Sequence, residues 1–307
     1  MVSAPDVSGP NAARAELSKR SIPHMVLSTG SDKSLTPALS LNLGTKASER
    51  ALGRFTVQGN AVVTGGTGTL GFAACTALLE HGLSGLAIFD VNAKQSETLL
   101  VSLRERFPSR IITCFQVDVT DDAAVQNAVD LAADALDTID HLLCFSGIVG
   151  CVNALDMSAA QWRRVMDVNT TGSFLCAQAV ARKMVDQGTG GSIVFTASIS
   201  AHRVNYPQPQ AAYNVSKAAL ITLKNCLAAE WARYGIRTNS VSPGYMDTIL
   251  NEGPGIAEAR DVWAERNPTG RMGTPEELTG AIVMLSAVTS SYMNGTDIVV
   301  DGGAIVF

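Results

Sequence analysis

Residues 57–71 read VQGNAVVTGGTGTLG. Val57, Ala61, Val62 and Val63 form a short apolar, β-rich run that predicts a strand. The turn Thr64-Gly65-Gly66-Thr67-Gly68-Thr69-Leu70-Gly71 follows at once. A helical pattern comes next, with Cys75, Leu78 and Leu79 on one face, ending near His81-Gly82. Leu86 to Phe89 predict a second strand, which stops at Asp90. Strand, glycine-rich turn, helix, strand and acid, in that order, make a mononucleotide-binding βαβ unit. The glycines let the backbone turn tightly and approach a pyrophosphate, whose charge is met by the N-terminus of the helix. A glycine-rich run alone is weak evidence. Here Asp90 lies 19 residues beyond Gly71, close to the spacing of about 20 at which such units place an acid against the ribose.

The same acid bears on the choice of cofactor. A carboxylate at Asp90 accepts hydrogen bonds from the ribose hydroxyls and repels a 2′-phosphate. Neither neighbour, Phe89 nor Val91, is basic, and the turn holds no Arg or Lys to meet such a phosphate. NAD(H) is therefore favoured, with NADP(H) as the alternative. Taken by itself, Asp90 also reads as a plain strand-end cap.

Beyond Asp90 the alternation continues. A helix is expected over about 93–106, with Leu99, Leu100 and Leu103 apolar, then a strand from Ile111 to Val117 that ends in Asp118-Val119. A helix over about 121–135 leads to a strand at 140–145 and the turn Ser146-Gly147. Residues 158–187 read as one helix. A strand at Ile193–Phe195, a polar loop and a helix carrying Leu220, Leu223, Leu227 and Trp231 follow. Arg237 to Val241 give another strand, running into Ser242-Pro243-Gly244. The stretch holding Gly253, Pro254, Gly255 and Pro268 reads as a mobile loop. A helix at 275–287 and a strand at 297–301 close the chain on Asp301-Gly302-Gly303. Connections of one hand through such an order build an α/β fold: one Rossmann-type domain over 55–307, a doubly wound parallel sheet with helices on both faces. Residues 1–54 show no sustained period and read as an N-terminal extension, partly disordered or packed on the surface.

Composition narrows the class. Of 307 residues, 46% are hydrophobic and 17% charged, which suits a soluble globular protein with a sizeable core. The net charge of -5 argues against nucleic-acid binding, which needs clustered basic residues. No apolar run reaches the roughly 18 residues of a membrane helix. The six cysteines (Cys75, Cys114, Cys144, Cys151, Cys176 and Cys226) form no C-x-x-C pair and have no His cluster nearby. They read as free thiols in a reducing compartment, with no metal site. The first twenty residues lack the apolar core of a secretory signal, so a cytoplasmic protein is expected.

The chemistry concentrates in SIVFTASISAHRVNYPQPQAAYNVSKAAL, residues 192–220. Tyr213 and Lys217 stand four apart on a helical pattern, hence one turn from each other. A phenol keeps its proton to about pH 10, and a nearby ammonium lowers that value toward neutrality. Ser198 ends the preceding strand, where its hydroxyl reaches the same point. Hydroxyl, phenol and ammonium together suit protonation of a carbonyl oxygen, or the reverse. As a bare pair, Tyr-x-x-x-Lys is more readily a surface decoration.

Taken in order over about 55–307, these residues resemble the short-chain dehydrogenase/reductase family. The matching features are the Thr64–Gly71 turn, Asp90, Asp118, Asn169 in DVNTTG, Ser198, Tyr213, Lys217, Pro243-Gly244 with Thr248, and Val300-Asp301-Gly302-Gly303. The resemblance implies an oxidoreductase in which nicotinamide gives or takes a hydride. Tyr213 would be the acid or base, with Lys217 lowering its pKa and binding the nicotinamide ribose. Ser198 would orient the substrate oxygen, and Asn169 would hold a water in the proton path through Lys217. Cofactor contacts would come from Gly65, Thr67, Gly68, Thr69, Leu70 and Gly71, from Asp90, and from Asp118 and Val119 near the adenine. Ser146, Gly147, Tyr213, Lys217, Pro243, Gly244, Met246 and Thr248 would complete them. Two departures stand out: Thr69 replaces the family's usual second glycine, and Cys144-Phe145-Ser146-Gly147 replaces its usual Asn-Asn-Ala-Gly.

The loop between Ser198 and Tyr213 resembles that of fungal ketose and polyol members of the family. Ser200, His202, Asn205, Gln208 and Gln210, with Tyr245, would meet the hydroxyls of a sugar chain; the bland alternative is that they shape the loop or a subunit contact. A polyol/ketose pair is thus the expected substrate, with another ketone (aryl, acyl or steroid) as runner-up and a non-catalytic dinucleotide-binding regulator as the alternative of a different class. The family resemblance further implies a homotetramer.

Overall fold

A computed structural model of the chain describes residues 21–38, 46–248, 251 and 253–306. Seven strands form one sheet: β1 (Asn60–Thr64), β2 (Gly85–Asp90), β3 (Ile111–Gln116), β4 (His141–Cys144), β5 (Gly191–Thr196), β6 (Ile236–Pro243) and β7 (Asp297–Val300). All pairs are parallel, in the order β3-β2-β1-β4-β5-β6-β7. The helices are α1 (Ala47–Arg54), α2 (Thr69–Glu80), α3 (Glu97–Arg106), α4 (Asp122–Leu136), α5 (Ala159–Met166), α6 (Gly172–Gln187), α7 (Ala211–Trp231), α8 (Ala257–Glu265) and α9 (Pro275–Ser286).

Strand side chains alternate between two cores. On one face Val62, Phe89, Leu142, Ile193 and Phe195 pack with Val129 of α4, Val180 of α6 and Leu220 of α7. On the other, Val63, Ile88, Leu143, Val194 and Val241 pack with Leu78 of α2, Leu103 of α3 and Ile282 of α9. Burial on both faces is why the central strands read as continuous apolar runs rather than as alternating ones. The expected doubly wound parallel sheet is therefore the observed one.

The strand order reverses at β1, which pairs with β2 on one side and β4 on the other. Chains leaving β1 and β4 diverge there, opening a crevice at the carboxyl ends of the strands, where such folds bind ligands. The glycine turn and Ser146-Gly147 flank that crevice.

Three elements differ from expectation. The helix read over 158–187 is interrupted by a π turn at Asp167–Thr171. The stretch read as a mobile loop contains α8, because Ala257–Glu265 is rich in good helix formers between its two prolines. Helix α1 lies in the expected extension and buries none of its residues. Of that extension, residues 1–20 and 39–45 lie outside the described residues. Residues 21–38 form no helix or strand, and Leu35 rests against Gly235.

Among the described residues, no helix is long and apolar enough to cross a membrane. All six cysteines are free. Cys75, Cys144 and Cys176 are buried, Cys114 is half-buried, and Cys151 and Cys226 are exposed.

Candidate active site

A cavity of about 2130 Å³ runs along the carboxyl ends of the strands. Every candidate site residue named from the sequence lines it except Asn169 and His202. One end is the glycine turn. Gly65 has a positive φ of 65°, and a Cβ there would stand 2.7 Å from the Ser146 amide nitrogen. At Gly71 a Cβ would lie 2.3 Å from the Gly65 carbonyl oxygen. Only glycine lets the turn, the first turn of α2 and the strand end after β4 close together. Gly68 caps α2 without a side-chain bond, so the N–H groups of its first turn are not taken by a capping side chain.

Asp90 ends β2 nearly buried, at 8% exposure. Its carboxylate accepts bonds from the Thr67 N–H (3.2 Å) and hydroxyl (2.6 Å) and from the Asn92 N–H (3.0 Å). Asp90 thus fixes the glycine turn, which is the strand-end cap that the sequence also allowed. The Thr120 N–H and hydroxyl hold the Asp118 carboxyl below its ordinary value. At the far side, Gly244 faces the chain end, where a Cβ would stand 2.8 Å from the Asp301 Cα. This contact is why Asp301-Gly302-Gly303 belongs to the same constellation as Pro243-Gly244.

The other end holds the reactive side chains. Ser198 follows β5, and Tyr213 and Lys217 project from the first turns of α7. The Lys217 Nζ donates to the Thr196 carbonyl at 2.7 Å and is buried, and this burial draws its pKa down to about 8. Desolvation pushes the Tyr213 phenol above its ordinary value, a hydrogen bond with Ser198 pulls it back, and nearby Tyr245 pushes it up. The expected lowering of the phenol by Lys217 is not what this arrangement gives. The ammonium is directed at a backbone carbonyl and sits 5.7 Å from the centre of the Tyr213 ring.

Asn169 is fully buried in the π turn. Its Nδ2 donates to the Ile148 carbonyl and to Ser216 Oγ, each at 2.9 Å, and its Oδ1 accepts from the Ile148 N–H at 2.8 Å. Both donors are spent, and the side chain ties the loop after β4 to α7. A Cβ on Gly147 would lie 3.4 Å from Asn169 Oδ1 and 3.6 Å from Lys217 Nζ, which places all three residues at one point.

Of the expected substrate residues, Ser200, Asn205, Gln208, Gln210 and Tyr245 face the cavity. His202 does not: its Nε2 lies 2.9 Å from Asp297 and 3.2 Å from Ser242 Oγ, at the edge of the sheet. The carboxylate of β7 attracts the imidazole away from the site. Sequence reading missed Trp263 on α8, which stacks on Tyr245 with centroids 4.2 Å apart and planes at 5°. A lone tryptophan in a stretch read as loop was the signal available. Cys151, which also lines the cavity, gave none.

The turn, the free N-terminus of α2, Asp90 and the Lys217–Tyr213 pair fit a nicotinamide dinucleotide lying along the crevice. The comparisons agree. Residues 66–304 match the family described as enoyl-(acyl carrier protein) reductase. The chain is 36% identical over 258 residues to the NADP-dependent mannitol dehydrogenase of Hypocrea jecorina, covering 83% of this chain and 95% of that one. It is 38% identical over 245 residues to the galactitol 2-dehydrogenase of Rhizobium johnstonii, covering 79% and 93%. The crystal structure of a short-chain type dehydrogenase/reductase from Mycobacterium marinum superposes with a TM-score of 0.77 at 37% identity, covering 83% and 98%. With these relationships added to the fold and the residues of the crevice, the chain belongs to the short-chain dehydrogenase/reductase family and is an oxidoreductase that works with a nicotinamide cofactor.

Proposed function

We propose that the protein interconverts a neutral polyol and its ketose, using NAD(H). The observation that carries this reading is the wall around Ser198 and Tyr213. Ser200, Asn205, Gln208, Gln210 and Tyr245 present hydroxyl and amide groups there and no charge. Such a wall satisfies a chain of hydroxyls, and the cation nearest to it, Lys217, is already directed at the Thr196 carbonyl. The names of the mannitol and galactitol relatives support the same class.

The nicotinamide ring supplies or accepts the hydride when the cofactor is bound. In ketone reduction Tyr213, whose raised pKa keeps it protonated at neutral pH, gives its proton to the carbonyl oxygen, and Ser198 donates a second hydrogen bond to that oxygen. Lys217, charged below about pH 8, places a positive charge beside the nicotinamide ribose and the reacting oxygen. Asn169 acts by position, fixing the loop after β4 against α7.

The NAD(H) preference rests on Asp90, a carboxylate at the position where such units meet the ribose, with no basic residue next to it in sequence. The Hypocrea relative's NADP-dependent name points the other way, so the preference rests on this chain's own acid. A homotetramer is the proposed assembly. Val185 on α6 and Val215 on α7 are exposed apolar residues on the two longest helices, and sedimentation of the full chain tests the assembly.

The deciding experiment is a set of initial rates on pentitols, hexitols and ketoses with NAD(H) and NADP(H). Turnover of a polyol/ketose pair with NADH is expected. Faster turnover of aryl or steroid ketones would replace the substrate assignment, and tighter NADPH than NADH in a direct titration would overturn the cofactor preference.

A further inference from the structure

The wall of the substrate cavity is one connected hydrogen-bond chain, and its direction is set from the Trp263 end. Trp263 Nε1 donates to Gln208 Oε1 at 3.1 Å. Gln208 Nε2 donates to Gln210 Oε1 at 3.1 Å, and Gln210 Nε2 to Ser200 Oγ at 3.3 Å. Ser200 Oγ lies 3.0 Å from Ser198 Oγ. An indole N–H only donates, so it can face only the oxygen of the Gln208 amide. That leaves the nitrogen of Gln208 for Gln210, which in turn directs the Gln210 nitrogen at Ser200. Gln210 takes one lone pair of Ser200 Oγ, and the acceptor that the described residues offer the Ser200 proton is Ser198 Oγ, so the direction that pairs this proton runs from Ser200 to Ser198. Ser198 Oγ also accepts the Ser200 backbone N–H at 3.1 Å. Both its lone pairs are then taken, and the one thing it can do is donate. The reverse direction would set the Trp263 N–H against the Gln208 NH₂, two donors face to face.

We infer that Trp263, from helix α8, is a positioning residue that makes Ser198 an obligate hydrogen-bond donor to the reacting oxygen. The inference rests on the proposed ketone/alcohol reaction and assigns it a residue well outside the Asn–Ser–Tyr–Lys set. Three observations fit. Trp263 is 7% exposed, so its N–H has little access to solvent as an alternative acceptor. The stack on Tyr245 holds the indole plane in place. A second chain enforces the same rule on Tyr245. Asn214 Nδ2 donates to the Ser200 and Arg203 carbonyls and to Asn205 Oδ1, so Asn205 Nδ2 must donate to the Tyr245 hydroxyl, at 2.8 Å. Gln208 Nε2 donates to that hydroxyl as well, at 3.2 Å. Tyr245, like Ser198, has only its proton left to give. Ser198 and Tyr245 therefore both meet the substrate as donors, a pattern suited to a carbonyl oxygen and its neighbouring oxygens.

The test is a double-mutant cycle between Trp263→Phe and Ser198→Ala, read as kcat for D-fructose reduction, or for the fastest ketose of the panel, at saturating NADH. Phenylalanine keeps an aromatic ring to stack on Tyr245 and removes the N–H donor. Trp263→Phe is expected to lower kcat about 3- to 10-fold in the parent, the worth of one neutral hydrogen bond. In the Ser198→Ala background it should lower kcat by less than about 1.5-fold, because the group it acts through is gone. An equal factor in both backgrounds means a structural role and overturns the inference, as does no effect in the parent. If Trp263→Phe does not fold, Gln208→Met breaks the chain at its second link and must show the same non-additivity. A parent inactive on every ketone overturns both this inference and the functional reading. An active parent with additive variants overturns the inference alone.

Discussion

Tyr213 shows how the environment of one residue sets the direction of the chemistry. A phenol raised by desolvation is a persistent acid and a reluctant base. Ketone reduction should therefore run well at neutral pH, while alcohol oxidation, which needs the phenolate, should rise with pH into the alkaline range. Rates in both directions from pH 6 to 10 check this; an oxidation optimum below neutrality would contradict it. Tyr213→Phe, which removes the proton but keeps the ring, should lower kcat at least about 100-fold in either direction, the usual worth of a general acid. Asp90 makes a comparable argument for the cofactor. On the proposed cofactor reading, Asp90→Ser removes the carboxylate that would face the 2′ position and should move the NADPH-to-NADH preference by about 10- to 100-fold toward NADPH. Because Asp90 also holds Thr67, the affinity for NADH should weaken in the same variant, and separate titrations with the two cofactors read both effects. These residues were legible in the sequence because their spacing is local: four positions for Tyr213 and Lys217, nineteen from Gly71 to Asp90. Trp263 was not legible, since it acts through Gln208, which lies 55 positions away and joins it only in the folded chain.

At the scale of elements, the junction between turn and helix does most to shape the cofactor end. The 2.3 Å approach of a Cβ on Gly71 to the Gly65 carbonyl is to backbone, which cannot swing aside as a flexible side chain would. Gly71→Ala should cost about 1–3 kcal/mol in stability through overpacking. It should also weaken NADH binding by more than tenfold, as α2 is pushed from the turn; urea unfolding and a fluorescence titration measure the two. A variant that binds NADH as the parent does would show that the turn tolerates the shift. The strands and most helices could be read from apolar runs and periods. The π turn could not, because nothing in DVNTTG announces it. Its geometry comes with the Asn169 bonds to Ile148 and Ser216, which are long-range. Helix α8 was masked by Pro254 and Pro268, which bound it instead of interrupting it.

For the whole molecule, the alternation of strands and helices together with one-handed connections was enough to foresee the doubly wound sheet. It was not enough to show which polar groups the closed sheet would strand inside, since burial of that kind depends on all the strands at once. His141 is such a group. It opens β4, between Ala61 of β1 and Ser192 of β5, and is 7% exposed. One ring nitrogen, Nε2, lies 2.7 Å from the Gln58 carbonyl and donates to it, while Nδ1 is buried with no partner among the described residues. Protonation would put a charge and an unpaired donor in the centre of the fold. Burial therefore lowers the pKa of His141; Arg237 adds to the lowering, and the Gln58 bond and Asp140 oppose it. An unfolded histidine takes up its proton near pH 6.5, and the folded one resists. The unfolded state thus binds more protons below that pH, so this contribution is intact above about pH 6.5 and is lost as pH falls from there through the folded value. Replacing His141 by Gln keeps a donor for Gln58 and removes the titration. Between pH 7 and 5 the parent should lose stability more steeply than His141→Gln, by up to about 1.4 kcal/mol per pH unit, the limit for one proton. Above pH 7.5 the two slopes should coincide. Urea unfolding at half-unit pH steps measures the difference, and parallel curves across the whole range would mean that His141 titrates in the fold as it does in water.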